Sequence, residues 1–320
     1  MDIYFDAPNL LSFIRSAKKD KYGDCIRMLK DHFSLHFSFS KSDVESFCDD
    51  DMNDFSLWMR SMDNLKEDIK WGDKTFDVSF DLKQVEKDQN KLMSVYCLQN
   101  SQCYANKGML LIASLGDEVD TLSTLFIESN QYTKNVFQKI KKWDDLLNYS
   151  SPTTDIILVD RFIFSNQELY SSNLYSILKV LCQKVNNQRV NIVIFTSKEN
   201  GDVIDWDAIY TGIRNKVNGR YRPNVTFVTV NKEVLKEHDR SIFTNYKVFA
   251  SGDSFNYFDS QGNKITKGRY LHVHSCADSS NADDAKVLVS DLQKIVSYIK
   301  EEIHNPNLII KDKVSNFINF

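Results

Sequence analysis

Between Thr153 and Ile303 the chain alternates short apolar runs with amphipathic stretches, and this alternation constrains the fold more than any other feature. Asp155 to Phe164, Val190 to Thr196 and Val225 to Val230 are rich in Ile, Val and Phe and read as buried strands. Glu168 to Val185 and Ile204 to Val217, lying between them, place apolar residues at helical spacing. A parallel strand pair needs a long crossover, so strands and helices in this order predict an α/β domain with a mostly parallel sheet and helices on its faces. Beyond these elements, Ser241 to Thr244 and Lys247 to Ala250 flank Asn245-Tyr246 as a hairpin. Tyr270 to Ser275 predicts a further strand and Asp283 to Ile303 a long helix.

The segment Tyr149-Ser150-Ser151-Pro152-Thr153-Thr154 separates a helical pattern from the first strong strand pattern, and marks a domain boundary. The expected organisation is a mixed, mainly helical region over 1–150, an α/β domain over 151–303 and a tail over 304–320. In the first region Pro8 suits a first helical turn, followed by the apolar Leu10, Leu11, Phe13 and Ile14. A second helix is expected over Tyr22 to Phe33, and Ser42 and Glu45 have capping-box spacing. Phe76, Val78 and Phe80 alternate as in a strand, and Met109 to Ala113 is a short apolar run of the same kind. Asn135 to Leu147 carries Val136, Ile140, Trp143 and Leu147 at helical spacing. The acidic run Asp49-Asp50-Asp51 reads as a solvated face or loop.

A formal net charge of −4 argues against a protein that coats nucleic acid by bulk electrostatics, although a local basic groove remains compatible with it. The first residues lack a basic, apolar leader, and no stretch approaches the roughly 20 apolar residues of a membrane span. A cytoplasmic protein without membrane contact is expected. The six cysteines are scattered without a Cys-x-x-Cys pair, so they read as reduced core residues. No Gly-rich phosphate loop ending in Lys-Ser or Lys-Thr is present, and no cofactor is implied.

The motif that bears on function follows the third strand. His238-Asp239-Arg240 is followed after four residues by Asn245, after six more by Gly252-Asp253, and after two more by Asn256. This resembles the phospholipase D superfamily pattern, His-x-Lys, four residues, Asp, six residues, Gly-Ser, two residues, Asn. His238 stands in the nucleophile position, Arg240 in the lysine position and Asn245 in the aspartate position. Gly252 and Asp253 match the Gly-Ser pair and Asn256 the final Asn. The His-Asp-Arg triplet, the hairpin and Tyr257-Phe258-Asp259 also resemble the phospholipase-D-like domain that ends some microtubule-interacting-and-trafficking proteins, and related bacterial domains. That branch implies binding without catalysis.

Within the active family one histidine attacks phosphorus and a second, from another motif, protonates the leaving group. A single motif therefore implies either no turnover or a homodimer that brings two copies of His238 together. Arg240 retains the charge that holds phosphate, and can do so bidentately. Asn245 lacks the aspartate charge, and a carboxylate at 253 would repel phosphate if it pointed inward.

Three further groups are candidates. His272, His274 and Cys276 alternate along the predicted strand and share one face, which suits either a zinc pair or the wall of the His238 cleft. The second is favoured, because no fourth ligand is evident, and no metal is expected. Asp160-Arg161 ends the first strand of the sheet, where open α/β sheets place ligand groups; an ion pair closing the strand is the alternative. Arg214, Lys216, Arg220 and Arg222, with Tyr221, form the densest basic cluster, either a nucleic-acid contact or a solvated helix end. The expected ligand set is His238, Arg240, Asn245, Asn256, His272 and His274. The expected function is binding of nucleic acid or a partner protein in a bacterial multi-component system such as anti-phage defence, with a homodimeric phosphodiesterase or nuclease using His238 as the alternative.

Overall fold

The computed structural model describes residues 2–17, 34–38, 93–97, 110–111, 133–183, 189–197, 204–217, 222–231, 233–235, 240–266, 270–303, 305 and 308–320. The helix expected over 22–33, the acidic run 49–51, the strand expected over 76–80, and His238, Arg220 and Tyr221 lie outside these residues. The chain forms two compact units, 1–131 with 277–279, and 132–276 with 280–320.

In the first unit, β1 (Asp2–Asp6) leads into α1 (Ala7–Ala17), and β2 (Ser34–Ser38), β3 (Val95–Cys97) and β4 (Leu110–Leu111) follow. All four strands are parallel, in the order β2-β1-β3-β4. The Asp6 carboxylate accepts from Asn9 N at 3.0 Å, so the residue that ends β1 also caps α1. Ile3, Tyr4 and Phe5 are buried together with Leu10, Phe13 and Ile14, and Tyr4 stacks on Tyr96 at 4.6 Å. Of the mixed, mainly helical region expected here, the described residues of this unit hold a parallel sheet and one helix, and the rest lies outside them. Strands of two to five residues are too short to show a period, and a parallel strand buried on both faces has none to show.

The second unit begins at β5 (Thr133–Asn135), passes through a 3₁₀ segment (Trp143–Tyr149), and enters β6 (Asp155–Val159). Then come α2 (Gln167–Ser172), α3 (Leu174–Cys182), β7 (Arg189–Ser197), α4 (Trp206–Val217) and β8 (Arg222–Val230). The hairpin β9 (Arg240–Thr244) and β10 (Lys247–Ser251) precedes β11 (Leu271–Ser275), α5 (Ser279–Tyr298) and β12 (Ile309–Lys311). Residues 133–149, expected before the boundary, and 308–320, expected as a tail, are both parts of this unit.

The sheet has the order β12-β8-β7-β6-β9-β10-β11-β5. β6, β7 and β8 are parallel neighbours as expected, but every other pairing in the sheet is antiparallel. A mostly parallel sheet is thus corrected to a mixed, mostly antiparallel one. The reason is that β9 returns antiparallel beside β6, its hairpin extends the sheet on that side, and two short strands close both edges.

One face of the sheet, with Ile156, Leu158, Ile192, Ile194, Phe227, Ile242, Phe249, Leu271 and Val273, packs against Leu174, Ile177, Leu178 and Leu181 of α3 and Ile209 and Ile213 of α4. The α3 residues recur at the i, i+3, i+4, i+7 spacing of one helix face, and each fully buried side chain stabilises by roughly 1.5–3 kcal/mol. Asn166 caps α2 by accepting from Glu168 N and Leu169 N. Asn173 ties this layer to the loop after β10. It accepts from Trp143 Nε1 at 2.8 Å and Phe258 N at 2.9 Å, and donates to the Phe258 and Leu169 carbonyls, both at 2.7 Å. No described helix is long and apolar enough to cross a membrane.

Candidate anion site at the carboxyl end of β6

β6 is where the parallel strands meet the antiparallel hairpin, and the carboxyl end of the strand at such a change of direction is where open α/β sheets form a ligand crevice. The strand stops because Asp160 turns its side chain back onto the backbone: Oδ1 accepts from Phe162 N at 2.9 Å. Oδ2 accepts from Ser254 Oγ at 2.7 Å and Phe255 N at 2.8 Å, which fastens the turn 160–163 to the loop after β10. Asp160 is fully buried, and burial raises its carboxyl above the ordinary carboxylate range; those three hydrogen bonds and the nearby Arg240 charge oppose the shift.

Two guanidinium groups lie near the ring of Phe162, and one of them, Arg240, acts on this carboxylate by its charge. Arg161 lies 4.7 Å from the centroid of the Phe162 ring and Arg240 5.5 Å from the same centroid. Arg240, the first residue of β9, donates from an Nη to the Gly252 carbonyl at 3.1 Å. Its Nε is buried without a hydrogen-bond partner in the structure. Asn256 donates from Nδ2 to the carbonyls of Phe162 and Ile163 at 3.1 and 3.3 Å, and its Oδ1 is likewise buried and unpartnered. A buried donor and a buried acceptor thus stand unsatisfied in the segments that form the crevice.

The carboxylate of Asp253 is held by two neutral donors. Its Oδ1 accepts from Ser254 N at 2.9 Å and its Oδ2 from Thr266 Oγ1 at 2.8 Å. Gly252 lies close under Tyr270: a Cβ there would stand 2.7 Å from Tyr270 Cε1, so the ring would have to shift. Tyr270 in turn stacks on His272 at 4.8 Å, and His272 meets His274 edge to face at 5.8 Å. These three rings lie on the sheet face opposite the core and lead away from the crevice, because β11 starts at its carboxyl-end rim. His274 is half-buried, and desolvation holds its imidazole below the usual value. Cys276 follows the strand and is buried. Among the described residues no group of three or more His, Cys, Asp or Glu side chains is placed to hold a metal ion.

The structure therefore brings Arg240 and Asn256 together, with His272 connected to them through Tyr270 and Gly252. It places Asn245 elsewhere. Asn245 turns the β9–β10 hairpin at the amino end of the parallel strands, fully buried, and its Oδ1 accepts from Thr153 Oγ1 at 2.7 Å and from Thr154 N at 3.0 Å. An amide serves there as an acceptor that pins the segment before β6, a role independent of any ligand. Sequence reasoning gave Asp160 and Arg161 as candidates, and the structure adds Phe162 and Ser254. Phe162 carried no signal, since an aromatic ring after a strand reads as core.

The described residues of the basic cluster stand at the same remote end. Arg214 closes α4 and donates to Tyr210 Oη at 2.7 Å, with its guanidinium 5.2 Å from the Tyr210 ring centroid. Lys216 is exposed and Arg222 opens β8. The length of β8 separates this cluster from the β6 crevice by about 25 Å, so the two do not form one continuous groove. No protein-family model matches the chain, and no curated protein matches it either.

Proposed function

We propose that this chain is a phospholipase-D-like binding or regulatory protein without turnover, which holds a phosphate-bearing ligand at the carboxyl end of β6. The observation that carries the reading is the placement of Arg161 and Arg240 within 4.7 and 5.5 Å of the Phe162 ring centroid, next to the buried Asp160. A guanidinium held over an aromatic ring can still meet phosphate oxygens through its edge, and the ring contact restricts rotamers that would otherwise be lost on binding. Nucleic acid in a bacterial multi-component system, anti-phage defence among them, is the ligand class we favour, met through a phosphate group rather than along a continuous basic track. A partner protein bearing a phosphate would present the same chemistry.

The second reading is a homodimeric phosphodiesterase in which two copies of His238 meet. Incubation of the protein with a generic phosphodiester and with single- and double-stranded DNA and RNA, beside a His238→Ala variant, separates the two. Binding without turnover predicts no cleavage by either protein. Metal-independent cleavage that disappears in His238→Ala would establish the enzyme instead.

A further inference from the structure

Tyr270 immediately precedes β11, at the same end of the sheet as the β6 crevice, and it is the first of a short file of rings. Its ring lies 4.8 Å from that of His272 with the two planes 25° apart, and His272 meets His274 edge to face. The two histidines are partly buried, and Tyr270, at the rim, is 38% exposed. The neighbouring strands leave the file uncovered along its flanks. On one side Ala250 stands opposite His272, and Gly252 N bonds to the Tyr270 carbonyl at 3.4 Å. On the other, Asn135 stands opposite His272 and turns its Oδ1 onto Phe137 N and Leu271 N.

Gly252 is also the residue through which the file meets the anion site. A Cβ there would stand 2.7, 3.0 and 3.2 Å from three atoms of the Tyr270 ring, so the ring rests over the Gly252 backbone. The carbonyl of the same residue accepts from Arg240 Nη at 3.1 Å. A guanidinium and an exposed aromatic ring thus share one small residue, and a nucleotide offers the matching pair, an anionic phosphate beside a flat base. Every base has a π face with which to stack on an aromatic side chain, but in a duplex that face is already covered by its neighbours.

We infer that Tyr270 is a stacking platform for an unpaired nucleobase, so that the ligand at this end of the sheet is single-stranded nucleic acid with a phosphate at Arg240 and the adjoining base on Tyr270. The inference rests on the phosphate reading of the β6 crevice and adds the base to it. His272 backs the platform: a ring stacked behind Tyr270 restricts its rotamers before a base arrives, which lowers the ordering cost of binding. Recognition of this kind tolerates any base sequence, because stacking needs no hydrogen-bond readout.

The test measures dissociation constants at fixed salt for two end-labelled probes of about 12 nucleotides, single-stranded oligothymidylate and an abasic strand of the same length and charge. Wild type, Tyr270→Phe, Tyr270→Ala and Arg240→Ala are compared, each checked for folding by circular dichroism. Should Tyr270→Ala unfold, Tyr270→Leu replaces it, since leucine keeps bulk over Gly252 and has no π face. Wild type should bind oligothymidylate about 10-fold more tightly than the abasic strand, Tyr270→Phe should keep that difference and Tyr270→Ala should lose it. On the abasic strand Tyr270→Ala should stay within about 2-fold of wild type, whereas Arg240→Ala should weaken both probes. Equal binding of the two probes by wild type, or a difference that survives in Tyr270→Ala, would overturn the inference; weakening of both probes by Arg240→Ala would then leave the phosphate reading standing. No effect of Arg240→Ala on either probe would overturn the phosphate reading and the inference with it.

Discussion

Ser254 Oγ donates to Asp160 Oδ2 at 2.7 Å across 94 residues of sequence, and this bond joins the end of the first parallel strand to the loop that follows the hairpin. It holds the loop after β10 against the turn that carries Arg161, while β9, which begins at Arg240, pairs with β6 directly. The buried carboxylate satisfies two backbone donors as well, so the crevice is organised by a group that need not touch the ligand.

Asp160→Ala leaves Phe162 N and Phe255 N without their acceptor and should cost about 3 kcal/mol in urea-induced unfolding. The cost should depend on pH. Burial holds the Asp160 carboxyl above its unfolded value of 3.8, so the folded state binds the proton more tightly. Its contribution to stability is then largest below that value and declines as pH rises through the folded pKa. The gap between wild type and variant should be widest near pH 4 and narrower at pH 7; a gap that widens with pH would mean the folded carboxyl is depressed.

Asn173→Ala removes four hydrogen bonds at one buried position and strands Trp143 Nε1 and Phe258 N. A loss of about 3 kcal/mol is expected in the same unfolding measurement. A change below about 0.5 kcal/mol, the range of ordinary surface substitutions, would mean that the layer does not depend on this residue.

Burial pushes the Cys182 thiol up to about 12. At pH 8 only about one molecule in 10,000 then carries the thiolate there, and the thiolate is the reacting form. Peptide mapping after iodoacetamide treatment should find Cys182 unmodified in the native protein and modified after denaturation. Rapid labelling of the native protein would show that α3 opens.

Much of this fold was legible in the sequence because long elements carry their own period. The apolar runs at 155–164, 190–196 and 225–230 became three adjacent parallel strands, and Asn245-Tyr246 became a hairpin turn with Thr244 opposite Lys247. The first run was read past its end, since the turn at Phe162 depends on a bond from Asp160 that local pattern does not reveal. β5 and β12 were missed because each is three residues long and owes its extension to a partner distant in sequence. The motif at 238–256 gave Arg240 and Asn256 as site residues. It also gave Asn245, whose spacing says nothing about which end of β9 it occupies. One strand later it lies with Thr153 and Thr154 instead.

The central claim is that Arg240 contributes a charge-assisted, partly enclosed contact to a phosphate-bearing ligand, whereas the exposed Lys216 does not. It is tested by measuring the dissociation constant of an end-labelled single-stranded oligonucleotide at fixed salt for wild type, Arg240→Ala and Lys216→Ala, each checked for folding by circular dichroism. Loss of about 10-fold or more in affinity is expected for Arg240→Ala, and about 2-fold or less for Lys216→Ala. Equal losses in the two variants, or no loss in either, would contradict the assignment of the β6 crevice as the binding site.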